Sequence, residues 1–440
     1  MNACSAIGER IRKSLARKLS GREAWALGDQ AVVSGTNFLT NVMLARFLGL
    51  HEFGVFALAW MSVLFVNSLQ SALIVAPMMS IGPKQEEKDQ APYFGAVFVQ
   101  ELVFVSLCFI LVFTVLRFCT FRDWHLQHLA GPLAVSAFAY QLQDFIRRYF
   151  FAIRQSRRAF AEDALSYLPQ LPILLVLHQS GHLNNWTALW AMAGTSLFGI
   201  LAGWFWLGPI RIDRQWVRTI VRRHWKISRW LGASALLQWT SGNLFVIAAP
   251  LYYGAAAAGV LRASQNLMGV THVWFQGLDN VVPVETARRF RDGGMHSMLS
   301  YTQSILVKWG GLTFLFALMI GLAPGFWLRL VYGSGLGQYG YVLRLYALLY
   351  VIIFIGGPLR AALQALEFTV PIFWSYLAMT SFAFAFAVPM AKWLGLNGTM
   401  LGLLGTQIIF QSIVATALLV KSSRIARGTS SALGSRAVAD

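Results

Sequence analysis

The chain has 440 residues, of which 57% are hydrophobic and only 12% charged, with a mean hydropathy of +0.56. A soluble domain carries roughly a quarter charged residues, so the composition excludes a chain whose surface is mostly wetted. The formal net charge of +18 would suggest nucleic acid in a soluble protein, but the basic residues sit in short clusters between apolar runs, which argues against that partner.

A bilayer core about 30 Å thick needs roughly 20 apolar residues per helical crossing. Apolar windows fall at 25–48, 54–80, 94–117, 129–147, 160–178, 186–208, 229–252, 255–282, 304–324, 340–362, 370–391 and 398–420. Only helices or closed barrels satisfy the backbone in lipid, and these runs are too long for barrel strands. The predicted fold is therefore an all-α polytopic membrane protein of about 12 transmembrane helices. The first window is too long for a signal-peptide core and no small-residue cleavage site follows it, so it is read as an uncleaved helix. Cys4, Cys108 and Cys119 are too few and scattered for a disulfide framework.

Basic residues orient the helices. An even number of crossings puts both termini on one side, and that side then holds 29 of the 36 Lys and Arg residues. Both termini are expected in the cytoplasm of a bacterial inner-membrane protein. The longest basic stretch lies between the sixth and seventh windows. It divides the chain into a basic N-terminal segment (1–24), an N-lobe (25–208), a basic linker (209–228), a C-lobe (229–420) and a C-terminal tail (421–440). An internal repeat matches that division. Ser34-Gly35-Thr36-Asn37-Phe38 precedes Gly49 and Gly54, and Ser241-Gly242-Asn243-Leu244-Phe245 precedes Gly254 and Gly259. Each half has an even number of crossings, so the two lobes are pseudo-symmetric about an axis along the membrane normal.

Polar side chains avoid lipid and point into a bundle or a wet cavity. In the first window Asp29, Gln30, Ser34, Asn37, Thr40 and Asn41 recur at steps that make one helical face. In the eighth, Arg262, Gln265, Asn266, Gly269, His272, Gln276 and Asp279 predict a continuous stripe. Isolated Ser, Thr or Asn need no more than interhelical hydrogen bonding. A buried Arg262 costs several kcal/mol without water or an anion beside it. Arg46, Arg262 and Arg344 lie nearer the outer side, while Arg147, Arg148, Lys308 and Arg360 mark inner helix ends, where topology alone explains charge. Arginine grips phosphate oxygens in pairs, so a positive cavity would suit a pyrophosphate headgroup.

Gly356-Gly357-Pro358 is expected to kink the tenth helix and Pro283 to close the eighth. Gly199/Gly203 and Gly398/Gly402 have GxxxG spacing, the signature of close helix packing. Gly335, Gly337 and Gly340 spell GxGxxG without a preceding strand, and His178/His182 lack an acidic partner. There is no P-loop and no nucleophile–base motif in water-facing sequence, so the chain is not read as an enzyme. No metal or cofactor is expected.

The stretches SGTNFLTNVMLARFLGLHEFGVF (34–56) and AAGVLRASQNLMGVTHVWFQGLDNVVPVETARRF (257–290) resemble the first and eighth helices of the multidrug/oligosaccharidyl-lipid/polysaccharide (MOP) exporter superfamily, closest to the Wzx-type polysaccharide flippases. The resemblance implies two six-helix lobes around a central cavity, working by alternating access. The implied cargo is a polyprenyl-pyrophosphate-linked oligosaccharide, flipped from the cytoplasmic to the periplasmic leaflet. Membrane lipids surround such a protein, and a polysaccharide polymerase and glycosyltransferases are its implied partners. Substrate-binding candidates are Asn37, Asn41, Arg46, Arg147, Arg262, Gln265, Asn266, Arg344 and Arg360. Coupling to a proton or sodium gradient would need a carboxylate, with Asp29 and Asp144 as candidates. Two other readings stay open. One is a cation-coupled multidrug antiporter of the same superfamily, whose cavity should be acidic or neutral. The other is a membrane enzyme of polysaccharide assembly, which would need a larger outer loop.

Overall fold

The structure is a computed structural model that describes residues 21–118 and 126–436. Cys4, Cys119 and the N-terminal segment up to residue 20 lie outside the described residues. All regular structure among the described residues is helical: α1 (Gly21–Gln70), α2 (Ala76–Ile81), α3 (Glu87–Phe118), α4 (Ala130–Ala152), α5 (Ser156–Gln179) and α6 (Asn185–Trp206) in the first half. The second half holds α7 (Arg214–Tyr253), α8 (Ala255–Met268), α9 (His272–Leu322), α10 (Pro324–Tyr332), α11 (Gly340–Ala365) and α12 (Val370–Arg436).

Three of these helices are too long for one crossing, and glycine breaks each of them. Gly49 in α1 (φ 80°), Gly294 in α9 (φ 65°) and Gly395 in α12 (φ 63°) take left-handed or mirror conformations that a side chain resists. Each break separates two apolar legs, close to the window edges read from sequence. Seven helical stretches among the described residues are long and apolar enough to cross a bilayer, three of them containing two legs. The helices α4 and α7 complete twelve legs; α4 is less apolar because Gln141, Gln143, Asp144 and Arg147 interrupt it, and α7 because its first half is basic.

Tertiary contacts divide the chain into two units, one of Met1–Leu48 with Val55–Ala235 and one of Gly49–Gly54 with Leu236–Asp440. The segment expected to be a linker is helical from Arg214 onward and continuous with the seventh crossing. Its charges recur at Arg214, Arg218 and Arg222 on exposed positions, while Ile220, His224 and Ser228 are buried. That spacing makes an amphipathic helix, so no break is needed. The Ser228 hydroxyl donates to the Leu73 carbonyl at 2.8 Å and fixes this face within the first unit.

Within the first unit, Ile74, Met78, Tyr93, Phe94, Phe145, Ile146, Tyr149 and Phe150 form the main apolar core. GxxxG packing holds here: a Cβ at Gly199 would strike the Ser166 side chain, and one at Gly203 would reach Ile146 within 2.5 Å. Within the second unit α9 packs along α11, and α11 along α12, over cores around Met298, Leu363 and Val414 and around Val282 and Phe354. Gly402 makes room for the Phe245 ring, whereas Gly398 faces the turn of its own helix before the Gly395 break.

The repeated glycines meet inside the second unit. Gly254 (φ 74°) has the conformation of Gly49, a Cβ on Gly54 would overlap the Ala255 carbonyl, and one on Gly259 would lie 2.6 Å from the Leu50 carbonyl. The spacing shared by both halves therefore serves a close backbone crossing.

Two sequence expectations are corrected. Pro283 does not close its helix, which runs on to Gly294; neighbouring side chains in membrane bundles compensate for the donor that proline lacks. The stripe from Arg262 to Asp279 is not continuous, because a 3₁₀ turn at Gly269–Thr271 separates α8 from α9. The Gly356-Gly357-Pro358 run lies within continuous helix α11.

Candidate functional site

Four crossings of the first unit bring ionisable side chains into its interior. The first leg of α1 carries Asp29, α3 carries Glu101, α4 carries Asp144 and Arg147, and α5 carries Glu162 and Asp163. All five carboxyl groups are buried. Arg147, with 11% of its side chain exposed, is the hub: it binds Asp144, reaches Asp163 at 3.3 Å and faces Asp29 at 3.8 Å. Arg148 approaches Asp144 at 3.6 Å from a more open position.

Amides complete the cluster. The Gln143 side chain donates to Asp163 at 3.1 Å, and Asn67 donates to Gln141 at 3.1 Å and to Asp144 at 3.5 Å. Gln70 donates to Glu101 at 2.5 Å and to the Gln141 carbonyl at 2.8 Å. A π-helical turn, Ser71–Val75, begins at the next residue, the type of local irregularity that often accompanies functional positions.

Charge balance decides what this cluster can do. Three buried carboxyls, Asp29, Asp144 and Asp163, face one enclosed guanidinium, with Arg148 at the rim and Glu101 and Glu162 buried nearby. An unpaired buried carboxylate costs several kcal/mol, so full ionisation of all five demands a compensating cation. Otherwise the excess holds protons. Asp29 and Asp163 both face the Arg147 guanidinium, at 3.8 Å and 3.3 Å.

Next to the cluster a narrow polar cavity is lined by Asn37, Ser136, Tyr140, Gln143, Tyr167 and Gln170 among others. Asn37 thus faces the first unit's interior, and its carbonyl accepts from Asn41 at 2.7 Å. Arg46 lies at an exposed position further along the same leg.

The second unit is different in kind. In α8 the half-buried Arg262 donates to the Gln265 amide at 3.3 Å, and Asn266 donates to the Tyr332 hydroxyl at 2.9 Å. Arg344 donates to the Gly321 carbonyl at 3.0 Å from an exposed position. Arg360 donates to the Gly356 carbonyl at 3.3 Å and to Tyr376 at 3.2 Å. These four sites do not form one cluster: Arg262 and Gln265 are brought together, while Arg344 and Arg360 bond elsewhere on α11.

Of the sequence candidates, Asp29, Asp144 and Arg147 converge on one network. Asp163 joins them at Arg147 and Glu101 through Gln70, with Glu162 buried beside Asp163, and none of the three stands out in the sequence. Each is a carboxylate inside or at the edge of an apolar window, a signal that a count of acids per window would have caught. No group of three or more metal-binding side chains among the described residues could hold a metal ion.

Outside the crossings, His224 on the basic part of α7 contacts the Tyr93 hydroxyl at 3.2 Å. Burial, with the nearby Arg223 guanidinium, pushes its imidazole down to about 4.

No protein-family model and no curated protein matches the sequence. Solved structures do match. A MOP superfamily transporter from Pyrococcus furiosus, with a binding pocket of reverse polarity, aligns with a TM-score of 0.63 at 13% identity, over 91% of this chain and 94% of its own. An outward-facing multidrug resistance transporter of the MATE family aligns with a TM-score of 0.62 at 14% identity, over 93% of this chain and 98% of its own. The lipid II flippase MurJ, in an inward closed conformation, aligns with a TM-score of 0.70 at 9% identity, over 91% of this chain and 88% of its own. The chain has the fold of the MOP superfamily, a fold of multi-pass membrane transporters.

Proposed function

From that fold as premise, we propose that the chain is a flippase that carries a polyprenyl-pyrophosphate-linked oligosaccharide from the cytoplasmic to the periplasmic leaflet of a bacterial inner membrane, for assembly of a surface polysaccharide. The observation that carries the proposal is Arg262, a half-buried guanidinium within a membrane-spanning helix, whose side chain is aligned with that of Gln265. An intramembrane arginine points into the bundle or a wet cavity rather than to lipid, and its planar fork fits the paired oxygens of a pyrophosphate. The fold is shared with a lipid II flippase, which agrees with a lipid-linked cargo. Arg46, Gln265, Asn266, Arg344 and Arg360 are the further substrate-binding candidates, with both termini cytoplasmic and alternating access as the mode of transport.

The carboxyl excess around Arg147 supplies the coupling step in this reading. Asp29 and its neighbours take up a proton or cation on one side and release it on the other, with Asp144 held as the fixed partner of Arg147.

One observation favours a second reading. The same buried carboxyl excess would serve a cation-coupled multidrug antiporter equally well, and the fold is shared with a multidrug transporter of the MATE family.

The test is deletion of the gene followed by analysis of lipid-linked glycans by leaflet. A cytoplasmic-facing intermediate should accumulate and surface polysaccharide should fall. Normal polysaccharide with no accumulated intermediate, accompanied by drug sensitivity, would favour the antiporter instead.

A further inference from the structure

Within the second unit, α9 and α11 line an open cavity of about 200 Å³, onto which the exposed His272, Gln276 and Asp279 face. It lies one helical segment beyond Arg262, past the 3₁₀ turn at Gly269. The volume is below the roughly 300–1,000 Å³ of sites that hold drug-sized ligands, so it suits one ring of a larger molecule rather than a whole drug.

The lining mixes three kinds of group. His272, Gln276 and Asp279 project from successive turns of α9, Arg360 comes from α11, and Phe275 and Phe354 supply apolar ring surface with centroids 5.4 Å apart. Among the described residues neither Asp279 nor Arg360 forms an ion pair, and both retain hydrogen-bonding capacity toward the cavity. Gly357 lines the wall opposite Asp279, its Cβ position 3.9 Å from the carboxylate oxygen. Arg360 is steadied by the Gly356 carbonyl, the Tyr376 hydroxyl and the Phe410 ring at 5.9 Å.

Charge separates the ligand classes. A site for organic cations would pair its carboxylate with aromatic rings and avoid a guanidinium. A site for a bare anion would avoid the carboxylate. Here one of each faces the same space, beside an amide, an imidazole and aromatic surface. That set matches a neutral polyhydroxylated ring, whose hydroxyls donate to Asp279 and Gln276 and accept from Arg360 and His272, while its C–H face lies against a phenyl ring.

We propose that this cavity is a sugar subsite of the second unit, binding one neutral hexose or N-acetylhexosamine residue of the cargo through Asp279, Gln276 and Arg360. The inference rests on the flippase reading and names the part of the cargo that this unit selects. Arg262 would hold the pyrophosphate, and the cavity beyond the Gly269 turn would read the glycan.

The experiment uses the purified full-length chain in nanodiscs and saturation-transfer NMR with glucose, galactose, mannose and N-acetylglucosamine as probes, and tetraphenylphosphonium as competitor. At least one sugar should bind, and Asp279→Asn should weaken it about tenfold, the loss expected for one hydrogen bond to a charged group. Gln276→Ala should weaken it less, with thermal stability of both variants unchanged. Tetraphenylphosphonium should not displace the sugar. Absence of binding by all four sugars, unchanged binding in Asp279→Asn, or displacement by tetraphenylphosphonium would overturn the subsite. Flipping of a lipid-linked glycan by the wild-type protein is measured alongside. Flipping without sugar binding removes the subsite alone, and sugar binding sensitive to Asp279 without flipping removes the flippase reading alone.

Discussion

The two units of this chain bury polar groups in opposite ways. The first gathers Asp29, Asp144 and Asp163 around Arg147 and ties Glu101 in through Gln70 and Gln141, with Glu162 buried beside Asp163, from four crossings. The second spreads single polar groups along α8, α9 and α11, several of them facing a cavity. A closed network exchanges protons or small cations with little change of shape, whereas spaced polar groups around a cavity bind something larger. In the proposed reading the first half handles ions and the second handles the ligand, and the contrast is where experiments gain most.

The largest effect should follow from opening the closed network. Arg147→Met leaves Asp144, Asp163 and Asp29 without their shared cation, and loss of one partner from a buried ion pair costs about 3–5 kcal/mol. A thermal-shift measurement in detergent should show a strongly destabilised protein, and an additional Asp144→Asn should restore part of the loss. An unchanged melting temperature would mean the network is not closed. Next, Gly54→Ala drives a methyl into the Ala255 carbonyl, an overpacking expected to cost about 1–3 kcal/mol. Gly35→Ala, where a Cβ meets nothing within 4 Å, is the matched control.

Asp29→Asn sharpens the comparison from the functional side. It should abolish the dependence of transport on the pH gradient while the melting temperature changes little, because the Arg147–Asp144 pair remains. Transport that stays gradient-driven in this variant would remove Asp29 from the coupling step.

The smallest effect concerns His224, which belongs to neither group of crossings. Its imidazole is held neutral, down at about 4, against about 6.5 in an unfolded chain. The unfolded state therefore binds the extra proton first, and stability falls as pH drops from about 6.5 toward 4. Above 6.5 the group contributes no pH dependence. His224→Phe should flatten that slope in melting curves between pH 7 and 5.

Much of the fold was legible because the apolar windows are long and each ends at a glycine or a charge cluster. The breaks at Gly49 and Gly395 fall where the windows change, and the basic clusters mark the remaining ends. The segment from Arg214 to Arg229 was harder. Its charge suggested a linker, yet its arginines are spaced for one helical face, so it folds as the first half of α7. Pro283 was misread because its missing donor matters less inside a bundle than in water. The site was only half legible. Asp29 and Asp144 stood out, but their partners Asp163 and Glu101 come from other crossings, and hydrogen bonds between helices leave no periodic trace in the sequence. The eighth stripe looked continuous because helical spacing cannot reveal a 3₁₀ turn at Gly269.

The division of labour is tested most directly in proteoliposomes loaded with a lipid-linked oligosaccharide, by following its appearance in the opposite leaflet under an imposed pH gradient. Wild type should flip the cargo. Arg262→Ala should lose cargo binding and flipping together while still inserting at normal levels, and Asp29→Asn should bind the cargo yet no longer respond to the gradient. Flipping by Arg262→Ala at the wild-type rate would contradict the assignment of the ligand-handling half.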